Sequence, residues 1–290
     1  MSGHPASAQV AWGRLRGFRR AASSQSAQMT QMRARKNDMA RIRYDEQTAT
    51  AFKAVREVPR EGLTEWRDAI TRHLHASPGM TLLDIGAGTG AFSAAFNDWF
   101  GADVLAVEPS AAMRNQIPQL PHIQVLEGSA SALPLPDACA DAALLSLVIH
   151  HIPDLQIAAR EIRRVLRPGA PVLIRQGFPG RCDRVELVRW FPETARMIAT
   201  YPSVEEACQA FATVGFYMEA LEQVCETYSA SLADFLGQVD TFRRADTTMR
   251  SLTEDEFRRG KERLRRAVKQ AQDTGKQESR TNWLDLLVLR

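Results

Sequence analysis

The feature of this 290-residue sequence that most restricts its fold is an alternation of short apolar runs with amphipathic stretches. The runs are almost continuous in apolar residues and lie at residues 81–85, 104–107, 123–126, 140–149 and 171–174. Strands that are buried on both faces have this composition, and helices between them form the crossovers of a parallel sheet. The pattern therefore predicts an α/β fold in which helices cover both faces of a mostly parallel sheet.

Helical segments are predicted before and after this core pattern. Apolar residues at helical spacing indicate two amphipathic helices within residues 44–77. Residues 216–224 and 283–289 predict a sixth and a seventh strand. The segment between them has helical character and is too long for a hairpin loop. Residues 226–282 are therefore predicted to form a helical insert, or cap, within a single domain of residues 44–290.

Capping residues mark three of the predicted helix starts. Asp154 precedes an amphipathic stretch, and an Asp in that position is typical of a helix N-cap. A Pro-Gly pair at the end of the stretch marks where the helix stops. Ser203 with Glu206, and Thr253 with Glu256, have the spacing of a capping box. Helices are accordingly expected to begin at these three positions.

Residues 1–43 differ from the rest of the chain in charge. They contain nine basic residues and a single acid, Asp38, and are rich in Ala, Ser and Gln. This composition predicts a mostly disordered basic arm. Three interpretations of the arm stay open: a solvated extension, a segment that binds nucleic acid or a membrane surface, or residues that precede a later start at Met29, Met32 or Met39. The net charge of +3 is too small to imply a nucleic-acid partner for the whole chain.

The cysteines, histidines and apolar runs exclude several classes of protein. The four cysteines are far apart and form no CxxC pair, so neither a disulfide framework nor a cysteine zinc site is expected. No set of His, Asp and Glu has metal-ligand spacing, and no structural metal is predicted. The longest mostly apolar stretch, at 142–149, is far shorter than the about 20 residues of a membrane-spanning helix. A cytoplasmic protein without a membrane anchor is expected.

A glycine-rich turn follows the first predicted strand. Residues 86–90 have the pattern GxGxG and lead into a helix that begins near Ala91. Glycines permit positive φ and let a ligand approach the backbone at a helix N-terminus. Glu108 stands twenty residues after Gly88, at the end of the second strand, where a carboxylate can accept hydrogen bonds from both ribose hydroxyls. The dinucleotide fingerprint GxGxxG is met only in its variant that ends in Ala.

Further motifs follow the third, fourth and fifth runs. Glu127-Gly128-Ser129-Ala130 follows the third, His150-His151 with Asp154 follows the fourth, and Arg167-Pro168-Gly169 precedes the fifth. In this order and spacing the motifs resemble the class I S-adenosylmethionine-dependent methyltransferases, especially their small-molecule "type 11" branch. The resemblance covers about residues 44–216 and the last strand. It implies a Rossmann-like sheet of seven strands in the order 3-2-1-4-5-7-6 with strand 7 antiparallel, and S-adenosyl-L-methionine as the cofactor.

The same resemblance implies a set of cofactor-binding residues. The glycines would lie beneath the methionine part, Asp84 near its amino group and Glu108 at the ribose, while Ser129 and Ala130 would lie against the adenine. Ser129 replaces the Asp that this motif usually has, and a hydroxyl is a weaker acceptor than a carboxylate. The full predicted set is Asp84, Gly86, Ala87, Gly88, Gly90, Glu108, Pro109, Ser129, Ala130 and Ser146.

Catalytic residues are predicted at the end of the fourth strand. His150 or His151 could remove a proton from the acceptor, because the ordinary imidazole pKa of about 6.5 suits neutral pH. His151 is similar to the histidine of the tyrosine–histidine latch in phosphoethanolamine methyltransferases, and Tyr44 would be its partner. Paired histidines are also common at this place in the branch without such a role, so both interpretations stay open.

The methyl acceptor is predicted from residues after the fifth strand. No Asn-Pro-Pro-Tyr, Asp-Pro-Pro-Tyr or Pro-Cys follows the fourth strand, which argues against methylation of nucleobase amino groups and of cytosine C5. Arg175, Arg181, Phe178 and Trp190 combine guanidinium groups with aromatic rings. They predict a small-molecule acceptor, such as a secondary metabolite, with an anionic group such as a carboxylate or a prenyl diphosphate. A solvent-exposed face rich in arginine is the alternative.

Three other functions stay open at this point. An NAD(P)-dependent oxidoreductase also has a glycine turn and a ribose-binding acid. A protein of the methyltransferase fold could bind without catalysis, and an RNA methyltransferase could use the basic arm of residues 1–43. The expected partner is a small molecule, no membrane or nucleic-acid partner is expected, and homo-oligomerisation is left open.

Overall fold

A single sheet of seven strands forms the centre of the computed structural model. The strands are β1 Thr81–Ile85, β2 Asp103–Val107, β3 Ile123–Leu126, β4 Ala142–Ser146, β5 Val172–Gln176, β6 Met218–Tyr228 and β7 Arg280–Leu289. Their order is β3-β2-β1-β4-β5-β7-β6, and β7 is antiparallel to both β5 and β6. The predicted strand order and the antiparallel seventh strand are confirmed.

The structure describes residues 45–56, 60–75, 77, 79–275 and 280–290. These residues belong to one compact unit, Ile42–Arg290. The predicted basic arm of residues 1–43 and the predicted catalytic residue Tyr44 lie outside the described residues.

Helices lie before the sheet, in its crossovers and in the insert. They are α1 Glu46–Arg56, α2 Thr64–His73, α3 Ala91–Phe100, α4 Ala111–Arg114, α5 Leu155–Val165, α6 Glu186–Trp190, α7 Ala195–Ile198, α8 Val204–Ala212, α9 Leu232–Ala245, α10 Thr247–Arg250 and α11 Glu254–Thr274. Short 3-10 turns occur at Arg60–Leu63, Ile149–His151 and Pro192–Thr194.

The predicted caps are present. Asp154 accepts hydrogen bonds from the backbone of Gln156 and Ile157 at the start of α5. The capping boxes at Ser203 and Thr253 begin α8 and α11. Such caps satisfy backbone N–H groups that have no partner inside the helix.

The two faces of the sheet are covered by different helices, and alternate strand residues supply the contacts. Leu82 and Leu144 pack with Trp66 of α2 on one face. Leu83 and Leu145 pack with α5 and α8 on the other. This alternation is why the strand sequences are apolar at almost every position.

Two strand boundaries differ from the sequence prediction. The fourth run extends to residue 149, but β4 ends at Ser146 because Leu147 has a φ of +54° and the chain then forms a 3-10 turn. The strands β6 and β7 are longer than predicted, since they pair from Met218 with Leu289 to Tyr228 with Arg280. Backbone pairing continues there through polar residues, so apolar composition underestimates the length of the strands. The helical insert is therefore shorter than residues 226–282.

The insert packs on the first helix and has an apolar cluster of its own. Phe235, Val239 and Phe242 of α9 pack with Trp190 of α6 and with Phe257 of α11. Helix α9 also lies against α1. These contacts place the insert beside the N-terminal helix on the domain.

Candidate active site

A cavity of about 320 Å³ opens at the carboxyl ends of the parallel strands. Its lining includes the glycine turn after β1, Glu108 after β2, residues 146–151 after β4 and residues 175–177 at the end of β5. Ligands bind at this edge of open α/β sheets. The fold therefore brings together motifs that are far apart in the sequence.

The three positions of the turn require glycine for different structural reasons. Gly86, Gly88 and Gly90 all have positive φ, at +69°, +57° and +82°. A Cβ at Gly86 would lie 2.4 Å from a methyl carbon of Val148, and a Cβ at Gly90 would lie 2.8 Å from one of Ile117. A Cβ at Gly88 would meet nothing within 4 Å, and Gly88 lines the cavity. The absence of a side chain at Gly86 and Gly90 thus lets Val148 and Ile117 pack against the turn, whereas at Gly88 it leaves open space beside the cavity.

Glu108 joins the second strand to the glycine turn. Its side chain is buried, and its two oxygens accept hydrogen bonds from the backbone N–H groups of Gly88, at 3.0 Å, and Ser110, at 2.9 Å. Burial raises the pKa of the Glu108 carboxyl, and the two backbone hydrogen bonds oppose that effect. Each carboxylate oxygen has a second lone pair, so Glu108 retains acceptor positions for ligand hydroxyls.

Asp84 is a second buried carboxyl group in the lining. The Ser93 hydroxyl donates a hydrogen bond of 2.6 Å to it. Burial raises the pKa of Asp84 to about 6. The group is therefore mainly a carboxylate at neutral pH, when it can attract a cationic part of a ligand, and mainly neutral below about pH 6.

His150 and His151 lie on the 3-10 turn after β4, and both line the cavity. Their ring centroids are 4.0 Å apart. The His150 ring stacks on Tyr201, with 4.1 Å between the centroids, and its Nδ1 lies 3.4 Å from Oε1 of Gln176. Tyr201 was not predicted from the sequence, because it follows α7 in a segment without a recognisable motif. A partnership of His151 with Tyr44 stays a prediction.

Three residues of the predicted cofactor set are not in the cavity lining given by the described residues. Gly90 caps α3 and packs near Ile117. Ser129 forms an isolated bridge with Ala132, and the buried Ala130 belongs to the core beside α5. Contacts of Ser129 and Ala130 with an adenine stay a prediction. The other seven residues of the predicted set all line the cavity: Asp84, Gly86, Ala87, Gly88, Glu108, Pro109 and Ser146.

Of the four residues predicted to bind the acceptor, only Arg175 lines the cavity. Phe178 is fully buried in the core, and Trp190 packs in the cluster of the insert. Arg181 forms an ion pair of 2.8 Å with the buried Asp285 of β7. The spacing of residues after a strand does not show which of them faces the cavity, and here the chain turns the other three away from it.

A polar network that the sequence did not predict crosses the acceptor end of the cavity. It consists of Arg175, Glu226, Asn282, Glu186 and Arg280, and we call it the ion-pair floor. Arg175 pairs with Glu226, which accepts a hydrogen bond of 3.1 Å from the Asn282 amide. The Glu186 backbone N–H donates to Asn282, at 3.0 Å, and Arg280 donates two bonds of 2.8 Å to the Glu186 carboxylate. The pairing of Glu226 with Asn282 across β6 and β7 brings these residues together.

Most of the remaining wall is apolar, although Asp246, Thr247 and Thr248 also line the cavity. The apolar part comes from α1, α6, α9, the segment around α7 and strand β7. Its members are Phe52, Leu63, Val185, Leu187, Ile198, Phe235, Phe242 and Leu284. A wall of this kind holds an apolar molecular body, while a few polar groups fix its orientation.

No group of three or more His, Cys, Asp or Glu side chains in the described part of the chain has an arrangement that could hold a metal ion. None of the helices described is long and apolar enough to cross a membrane.

Comparison with known proteins identifies the central part of the chain. A family model described as "Methyltransferase domain" matches residues 83–174. The ubiquinone/menaquinone biosynthesis C-methyltransferase UbiE of Caulobacter sp. (strain K31) is 35% identical over 121 residues, which are 37% of this chain and 48% of that protein. The demethylmenaquinone methyltransferase of Renibacterium salmoninarum is 31% identical over 145 residues, 48% of this chain and 61% of that protein.

Solved structures extend the similarity of fold. A protein of Anabaena variabilis, assigned as a methyltransferase of an antibiotic biosynthesis pathway, has a TM-score of 0.61 and 21% identity, covering 80% of this chain and 98% of that one. The [4+2]-cyclase SpnF has a TM-score of 0.50 and 18% identity, covering 78% of this chain and 79% of that one. At these identities the likeness concerns the fold alone.

The resemblance to class I S-adenosylmethionine-dependent methyltransferases is confirmed by the family match and the strand order. The chain spans about half the length of the first curated relatives that it matches.

Proposed function

We propose that this chain is an S-adenosylmethionine-dependent methyltransferase that acts on a small-molecule acceptor. The observation that carries the proposal is the cavity itself, which joins the glycine turn and Glu108 at one end to His150, His151 and an apolar wall at the other. The methyltransferase-domain match and the names of the curated relatives support the reaction class.

The residues of the cofactor end fit S-adenosylmethionine. Gly88 leaves open space beside the turn, Glu108 has acceptor positions for ribose hydroxyls, and Asp84 offers a carboxylate for the ammonium group. When bound, the cofactor supplies a methyl group on a positively charged sulfur, which a nucleophile of the acceptor can displace.

The chain's own contribution to the reaction is positioning, proton removal and exclusion of water. Holding two reactants in line can supply most of the rate, and a general base typically adds about 10²–10⁴-fold. His151 and His150 line the cavity next to Ser146, and either imidazole can take the proton that the acceptor loses. Helices α1 and α9 pack together and contribute Phe52, Phe235 and Phe242 to the wall, which shields the acceptor from water.

The size of the cavity and its apolar side chains support a small acceptor. The sequence also predicts an anionic group on that acceptor, held by Arg175 and Arg181. Arg181 lies outside the lining, and Arg175 is paired with Glu226, so the geometry gives this finer prediction little support.

Binding and turnover test the proposal separately. Calorimetry should show binding of S-adenosylmethionine and S-adenosylhomocysteine but not of NADH or NADPH, and preferential binding of a nicotinamide cofactor would refute the proposal. Transfer of a labelled methyl group should then be measured over a broad panel of small acceptors, including quinols because of the relatives' names. Cofactor binding without any transfer would favour the non-catalytic alternative. A [4+2]-cyclase has a similar fold, so the fold alone does not establish methyl transfer.

The RNA alternative has its own test. If the basic arm guided an RNA acceptor, RNA binding should depend steeply on salt and be lost when residues 1–43 are deleted. Methyl transfer to small acceptors by the chain without residues 1–43 would instead assign the activity to the domain.

A further inference from the structure

We infer that the acceptor bound at the ion-pair floor is an uncharged molecule with an apolar body, and that charge balance within the floor excludes anionic acceptors. The inference rests on the proposed function and specifies the acceptor of the same cavity. It replaces the anionic acceptor predicted from the sequence.

Arg280 is the first of the two guanidinium groups that could attract an anion. Its Nε and Nη2 donate to the two carboxylate oxygens of Glu186, both at 2.8 Å, and its third nitrogen lies 3.5 Å from the carbonyl of Ala230. Its flat faces lie over aromatic rings, 4.3 Å from the centroid of Phe235 and 4.7 Å from that of Tyr228. A bidentate carboxylate already occupies the fork with which Arg280 would hold a ligand anion.

Arg175, the second guanidinium, is engaged in the same manner. It pairs with Glu226, donates a hydrogen bond of 3.1 Å to the Ser146 hydroxyl, and lies 5.1 Å from the ring centroid of Trp66 and 5.4 Å from that of Phe92. The Arg175 side chain is 7% exposed and that of Glu226 is not exposed at all. An arriving anion would have to displace a buried carboxylate, which would then be left without its counter-charge.

The other acidic groups of the lining do not favour an anion either. Asp246 is buried and accepts a hydrogen bond of 2.8 Å from Met249 at the start of α10. Asp84 and Glu108 lie at the cofactor end. The two guanidinium groups of the lining are thus balanced by Glu186 and Glu226, and Asp246 adds a further acid.

The composition of the wall supplies the rest of the inference. Aromatic and aliphatic side chains surround the floor, and an apolar body gains from contact with them. A neutral hydroxyl, amide or carbonyl on that body can exchange hydrogen bonds with the floor without changing its net charge. An uncharged acceptor therefore satisfies both the wall and the floor.

The test compares two probes of the same shape that differ only in charge, 2-naphthamide and 2-naphthoate. Each is titrated into the full chain by calorimetry at pH 7.5, with and without saturating S-adenosylhomocysteine. The amide should bind at least about tenfold more tightly than the carboxylate, because only the carboxylate brings an uncompensated charge into the cavity. Equal or tighter binding of naphthoate, or binding of neither probe, would overturn the inference.

Variants of one ion pair separate charge balance from simple loss of a contact. Glu186→Gln leaves Arg280 without its counter-charge, and the preference for the amide should shrink by at least about tenfold or reverse. The double variant Glu186→Leu/Arg280→Met removes both charges and should retain the preference for the amide over the carboxylate. It therefore tests the inference even if the single variant does not fold. Glu254→Gln, whose carboxylate is 87% exposed in its pair with Arg243, is the control and should change nothing. A double variant that loses the preference would contradict the role of charge balance.

The same titrations distinguish this inference from the proposed function. If S-adenosylhomocysteine binds and naphthoate is preferred, only the inference about the acceptor fails. If S-adenosylhomocysteine does not bind while the amide is still preferred, the proposed function fails and the charge preference of the cavity stands.

Discussion

Replacement of Glu108 by Gln should weaken cofactor binding while leaving the folded domain almost equally stable. In the structure the two carboxylate oxygens accept hydrogen bonds from the backbone of Gly88 and Ser110. A glutamine presents one oxygen and one NH₂ group, so one of these two backbone donors loses its acceptor. The side-chain oxygen that remains has a single lone pair left for a ribose hydroxyl, where the carboxylate has two.

The magnitudes follow from these counts. A hydrogen bond to a charged group contributes about 1.5–3 kcal/mol, so the loss of one ribose contact should weaken binding of S-adenosylhomocysteine by about 10- to 150-fold. The stability of the domain without ligand changes less, because the lost backbone hydrogen bond is offset by relief from burying a charge. Burial raises the pKa of Glu108, which shows that its desolvation is substantial. We expect the free energy of unfolding to change by no more than about 1 kcal/mol.

Calorimetry and denaturant unfolding of three proteins check this prediction. The wild type is compared with Glu108→Gln and with Glu127→Gln, a control whose carboxylate is 75% exposed in an ion pair with Arg114. The control should bind S-adenosylhomocysteine like the wild type, because exposed ion pairs contribute little. The placement of the ribose at Glu108 is refuted if Glu108→Gln loses less than about threefold in affinity, or if the control loses as much.

Three further predictions concern other residues of the cavity. Gly88→Val should abolish S-adenosylhomocysteine binding by filling the open side of the turn, and it should also lower the unfolding temperature because a valine at a φ of +57° is strained. Gly86→Ala should lower the unfolding temperature because its Cβ would meet Val148. Calorimetry on the folded Gly88→Val protein measures the loss of binding, and thermal melts measure the loss of stability in both variants. The pKa of Asp84 is about 6 in the folded protein, above its ordinary value of 3.8, so the free energy of unfolding should fall by about 3 kcal/mol as pH rises from about 3 to 7. Asp84→Asn should remove that slope in urea titrations across this range. His151→Ala should lower kcat by about 10²-fold or more with little change in the acceptor KM, and full activity at pH 7 would exclude His151 as the base.

The prediction of the fold depended on signals between neighbours in the chain. The Asp154 cap, the Ser203 and Thr253 capping boxes and the glycine turn at Gly86 each involve residues within a few positions of one another. Hydrogen bonds and backbone conformations of this range are encoded locally, so they can be inferred without knowing the tertiary contacts. The same holds for the cofactor end, where the turn and Glu108 have a fixed spacing along two adjacent strands.

The acceptor end could be predicted only in small part. Arg175 lines the cavity, but Arg181 instead pairs with Asp285 across more than one hundred residues, and Phe178 enters the core. The residues that replace them, Glu226 and Arg280, show no motif.

Local patterns in the sequence thus predicted the strands, the helix caps and the glycine turn, and the resemblance to a family implied the strand order. Only the tertiary structure decided what faces the acceptor, because Glu226 becomes the neighbour of Asn282 through the register of two antiparallel strands that are separated by the insert. A one-residue change in that register would turn the side chains to the other face of the sheet. The charge of the floor depends on this pairing across β6 and β7, and a pairing between distant segments leaves no mark on the local pattern of either one.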